Sequence, residues 1–185
     1  MMIPTRTALA LTLILNGTLA LAFTLALIPA DSAGADGPAR LAVDPQGSEV
    51  TFLMDTTWHA VHGKARGISG TIESAKGSLF EDAVVTIVVD ATTLETGNER
   101  RDRTMHGEYM ITKEWPRVTF RSTAAPVLLG EAPPAAGEPR LTEGGVVSFE
   151  LAGDLTIRAE TRGVILSLTA RPDGDGWVEI GRAHV

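Results

Sequence analysis

The sequence contains no cysteine. That excludes a disulfide framework, thiolate metal sites, thiol nucleophiles and lipid anchoring through an N-terminal cysteine. An exported protein can do without disulfides when its core is large enough. Aromatic residues are scarce, at 5% of 185 residues, so a core must be built from Val, Ile, Leu and Ala. Cations are also in deficit: 16 Lys and Arg face 23 Asp and Glu, for a net charge of −7. A phosphate-binding surface needs a cationic surplus, so nucleic acid is excluded as an expected partner. The acidity reads as solubility.

The usual catalytic signatures are missing too. There is no G-x-S-x-G elbow, no H-E-x-x-H, no glycine-rich phosphate loop and no dinucleotide fingerprint. No carboxylate spacing suggests a glycosidase pair. His59 and His62 stand three apart, a spacing that puts them on opposite faces of a strand. They read as surface or rim histidines. The chain is expected to be neither an enzyme nor the holder of a metal or cofactor.

One long apolar run is present. Arg6 precedes Ala8 to Ile28, interrupted by Asn16 and Gly17, and Ala33 and Ala35 then form an A-x-A site. Residues 1–35 read as a signal peptide cut after Ala35. An uncleaved membrane anchor is the rival, because the run approaches the roughly 20 residues that span a bilayer. Either reading puts the folded part outside the cytoplasm, in the periplasm or secreted, with a membrane contact only through an uncleaved N-terminal segment.

Beyond a short linker the pattern is that of strands. Val50, Phe52 and Met54 alternate onto one face of 48–54, and Val84–Asp90 is dense in β-branched residues. Residues 68–73, 118–123, 146–151, 154–158 and 164–170 read the same way, and 130–140 reads as a Pro- and Gly-rich loop. Gly63, Gly67 and Gly70 suggest bends in a curved sheet. The stretch 96–106 has no alternation, and Asn98 predicts a short helix beginning there. Many strands and one short helix mean an all-β domain, either a sandwich or a closed barrel.

Four segments, in order, carry a resemblance. Thr96-Gly97-Asn98-Glu99-Arg100-Arg101-Asp102 is similar to the T-G-N-x-x-R-D signature of the YceI-like family. Trp115-Pro116-Arg117-Val118-Thr119-Phe120-Arg121-Ser122 resembles its Y/W-P-x-[IV]-T-F-x-S strand, and Gly153-Asp154-Leu155-Thr156-Ile157-Arg158 its G-D-L-T-I-R-G hairpin. Gly63 to Glu73 resembles a further glycine-rich segment. The chain departs from the pattern at Ala159, where the hairpin usually has Gly, at Met110-Ile111-Thr112 and at Ala60-Val61-His62.

The resemblance implies an antiparallel, lipocalin-like, eight-stranded β-barrel with a polyisoprenoid or similar apolar lipid inside. Such a barrel has room for one small ligand. The alternating residues Val50, Phe52, Met54, Val85, Ile87, Val89, Val118, Phe120, Phe149, Leu151, Val164, Leu166 and Leu168 are expected to face inward, as core or as ligand lining. Asn98, Arg101 and Asp102 have two readings: a clamp for a polar head group, or a structural motif in which Asp102 pairs with an Arg and pins the short helix to the barrel. An enzyme acting on an isoprenoid-type substrate and a ligand-free stress-response protein are the alternative functions, and a homodimer is compatible with either. The family domain normally runs on past this hairpin and its return strand. The chain ends in Glu179 followed by Ile180-Gly181-Arg182-Ala183-His184-Val185, which resembles a translated sequencing adapter. The expected barrel domain is therefore 36–178, lacking its last strands, with 179–185 a non-native tail.

Overall fold

The computed structural model describes residues 19–32, 39–55, 60–75, 82–129, 147–173 and 176–184. The strands are β1 (Leu19–Ser32), β2 (Ala39–Asp55), β3 (Ala60–Ala65), β4 (Ile68–Ser74) and β5 (Val84–Asp90). A 3-10 turn (Ala91–Thr93), the helix α1 (Glu99–Thr104) and a π-helical turn (Met105–Tyr109) follow. Then come β6 (Arg117–Ser122), β7 (Val127–Leu129), β8 (Val147–Ile157), β9 (Glu160–Asp173) and β10 (Gly176–His184). The fold is all-β and antiparallel with one short α-helix, as the pattern predicts.

The order of pairing runs β1-β10-β9-β8-β6-β5-β4-β2, and β1 also pairs with β2. The hydrogen-bonding path therefore returns on itself, as in a barrel. β3 and β4 share one partner, since β2 pairs with β3 through Val50–Asp55 and with β4 through Ala39–Ala42. Gly67, at φ +69°, makes the bend between β3 and β4. β6 and β7 likewise share β8. Residues 41–184 alone would leave β2 and β10 as edges, and β1 lies between them. β1 falls within the segment read as an export signal. Residues 179–184, read as a tail, form most of β10, which pairs with β9.

Register explains why one face is buried. Opposed residues share a face, and the side-chain period is two. Ile72 opposes Val85, Ile68 opposes Val89, and Val89 opposes Val118. Phe120 opposes Leu155, Leu151 opposes Leu166, and Phe149 opposes Leu168. These pairs join one apolar cluster, in which Leu151 and Ile68 are the largest fully buried side chains. β2 breaks its ladder between Asp44 and Glu49. There the Asp44 carboxylate accepts the N–H groups of Gln46 (3.0 Å) and Gly47 (3.2 Å), a local turn that takes up the extra residues.

One expectation differs in detail. The runs expected over 146–151 and 154–158 fall within one strand, β8, from Val147 to Ile157, which continues through Gly153. The loop expected over 130–140 lies outside the described residues.

Candidate functional site

Two regions hold the residues singled out by the sequence: the barrel interior and the segment 91–116, which joins β5 to β6 at one end of the barrel. In the interior, Val50, Val85, Val89, Phe120, Phe149, Leu151, Val164, Leu166 and Leu168 are buried in the apolar cluster. Ile87 and Val118 are partly buried and pack against it. Phe52 and Met54 share the face of Val50 but are only half-buried.

Aromatic rings replace missing side chains along this face. A methyl on Gly153 would lie 2.4 Å from Phe120 Cζ and 2.6 Å from the Arg121 carbonyl oxygen. The ring of Phe120 thus fills the space above Gly153, which couples two of the motifs that carry the family resemblance. Phe52 covers Gly63 in the same way, with its Cζ 2.1 Å from where a methyl would stand. Ser122 is the polar residue of this face in β6. Its hydroxyl accepts the Val85 N–H (2.9 Å) where β5 begins. No buried side-chain nitrogen or oxygen among the described residues lacks a partner.

The end segment is organised by the T-G-N-x-x-R-D residues. Gly97 adopts φ +76°, which turns the chain into α1. Asn98 caps the helix: its Oδ1 accepts the Arg101 N–H (3.0 Å). Asp102 Oδ1 accepts both the N–H of Thr96 (2.9 Å) and its hydroxyl. The Arg101 guanidinium donates to Thr96 Oγ1 (2.7 Å) and to the Thr96 carbonyl (2.9 Å). Asn98, Arg101 and Asp102 are thus all engaged in holding this turn. These bonds run from Asp102 and Arg101 to Thr96, within the turn, and not from Asp102 to an Arg or to a barrel strand.

Sequence reasoning passed over two further residues here. His106 Nε2 donates to the Leu94 carbonyl (2.8 Å), and its Nδ1 lies 3.3 Å from the hydroxyl of buried Thr112. With Nε2 as the donor, Nδ1 is left to accept from Thr112. Arg158 spans the tight β8–β9 turn at φ +59°, and its guanidinium donates to the Tyr109 carbonyl (3.2 Å). Because the left-handed residue is Arg158, Ala159 does not need to be glycine. An open recess of about 720 Å³ lies beside α1, lined by Glu99, Asp102, Arg103, His106, Gly107, Ile111, Thr112 and Lys113. His62 is exposed on β3, and His59 lies outside the described residues. Among the described residues no helix is long and apolar enough to cross a membrane.

No curated protein matches this chain. A crystal structure of BcnA from Burkholderia cenocepacia aligns with it at a TM-score of 0.43 and 12% identity, covering 89% of this chain and 94% of that one. The family model described as YceI-like domain matches residues 41–184. That match takes in all four motifs, the face they build and the end segment they organise, and the chain belongs to the YceI-like domain family.

Proposed function

We propose that this chain is a binding protein that holds a polyisoprenoid or similar apolar ligand inside the barrel, and acts outside the cytoplasm, in the periplasm or secreted. One observation carries the reading. The inward face of β4, β5, β6, β8 and β9 is a continuous apolar surface whose buried members, among the described residues, include no ionisable side chain. Membership of the YceI-like family supports the ligand class, and the A-x-A site at Ala33 and Ala35 supports export. An apolar chain placed against such a surface gains roughly 25 cal/mol for each Å² withdrawn from water, so affinity needs few polar contacts. The polar groups of the T-G-N-x-x-R-D turn already bond to one another, which favours recognition by the tail of the ligand over recognition by its head group.

The test is equilibrium binding of a long prenyl quinone presented in detergent micelles, with a short water-soluble quinone as control. Saturable uptake of the long-tailed compound alone is expected. Ile87→Trp, which adds bulk to a partly buried inward position, is expected to weaken uptake at least tenfold while circular dichroism stays that of a β protein. Equal uptake by the parent and Ile87→Trp chains would count against an interior site.

A further inference from the structure

The segment 91–116 divides into a fixed base and a loosely held remainder. The base is clamped. Ala91 N–H donates to the Pro116 carbonyl (2.8 Å), which joins the two ends of the excursion. Lys64 and Glu95 exchange backbone hydrogen bonds (2.9 and 2.8 Å), and Arg66 N–H donates to Thr93 Oγ1 (3.0 Å). Ala91 is fully buried, and Leu94 packs against the apolar cluster.

Residues 97–115 are held differently. No side chain of α1 or of the π-helical turn is buried. The bonds from Glu114 and Trp115 N–H to the Ile111 carbonyl are internal to the segment, and those of Arg101 and Asp102 to Thr96 close the turn at its junction with the base. Beyond that junction, two hydrogen bonds reach outward among the described residues: His106 to the Leu94 carbonyl on the base, and Arg158 of the β8–β9 turn to the Tyr109 carbonyl. The segment also carries two features of elevated energy. One is the π-helical turn, and the other is Ile111, a β-branched residue at φ +48°. Few buried contacts and strained backbone are the marks of a unit that opens below the global unfolding free energy.

We infer that residues 97–115 are a hinged flap at this end of the barrel, latched by His106 and Arg158, and that its opening admits and releases the interior ligand. The gate presupposes the interior binding proposed above. Opening is a shift between two states, and a latch bond made only in the closed state sets their ratio. Loss of one such bond raises the open population by about fivefold. The ligand does not touch the latch, so entry and exit accelerate together and affinity stays constant.

The experiment combines hydrogen exchange with stopped-flow binding of the same long prenyl quinone to the full chain. Arg158→Gly removes one latch while leaving a residue that takes positive φ readily, and His106→Ala removes the other. Both are expected to speed exchange across 99–115 by about fivefold, with β5 and residues 147–153 of β8 unchanged, and to raise association and dissociation rates by a similar factor at constant Kd. Faster flap exchange with unchanged ligand rates would overturn the gate and leave interior binding intact. A parent chain that takes up no quinone would overturn both. Unaltered flap exchange in both variants would show that these bonds are not latches.

Discussion

At the residue scale, the motifs of this family become packing and capping statements. Gly153 matters because Phe120 occupies the place of its side chain, and Gly70 because a methyl there would stand 2.3 Å from the Thr86 carbonyl oxygen. Both meet backbone, which cannot swing away. Gly63 meets only the ring of half-buried Phe52. Gly153→Ala and Gly70→Ala should therefore each cost about 1–3 kcal/mol, and Gly63→Ala clearly less, as read from urea midpoints. Equal costs at all three positions would contradict this account. Asp102→Ala strips two donors of Thr96 of their acceptor and should cost about 1–3 kcal/mol.

Asp90 gives a residue-scale prediction in pH. The Thr92 hydroxyl first, then the Thr92 N–H, hold its carboxyl below the ordinary aspartate range; burial opposes them, and a smaller pull from Arg117 adds to the lowering. A depressed folded-state pKa stabilises the protein above the unfolded value, near 3.9, and that contribution disappears as pH falls through the folded value. Asp90→Asn should therefore flatten the acid limb of stability below about pH 4. An unchanged limb in thermal melts would mean that the charged Asp90–Thr92 cap contributes nothing.

At the scale of elements, legibility followed periodicity. β5 was readable residue for residue because Val84–Asp90 is a run of β-branched residues, and α1 because Asn98 is a helix cap at the end of a non-alternating stretch. β8 read as two runs because a glycine within a strand looks like a break. Nothing in 147–157 reveals that a ring from β6 covers it. β7 is too short to show a period, and the π-helical turn has no sequence signature, so the flap and its latches were invisible. The inward residues were legible from parity, except that Phe52 and Met54 are less enclosed than Val50. The hairpin of β8 and β9 offers its own test. Arg158→Gly removes a side chain from a left-handed position, so amides of 155–162 should exchange more slowly even as those of 99–115 exchange faster. Faster exchange in both regions would show that Arg158 supports the hairpin rather than burdening it.

At the scale of the whole molecule, closure depends on β1, which pairs with β10 on one side and with β2 on the other. A chain cut after Ala35 lacks that strand and exposes two edges with unpaired backbone groups. Exposed edges recruit other strands. The cut form is therefore expected to self-associate at micromolar concentration in analytical ultracentrifugation. A strictly monomeric cut form would mean that its edges are covered in some other way.

The central claim is that the barrel interior holds an apolar ligand, and native mass spectrometry of the freshly purified, undenatured chain tests it most directly. A second charge-state series is expected, heavier by one constant apolar mass, that is lost on solvent extraction and restored by a long prenyl quinone. A single series at the bare polypeptide mass, unchanged after incubation with that quinone, would contradict it.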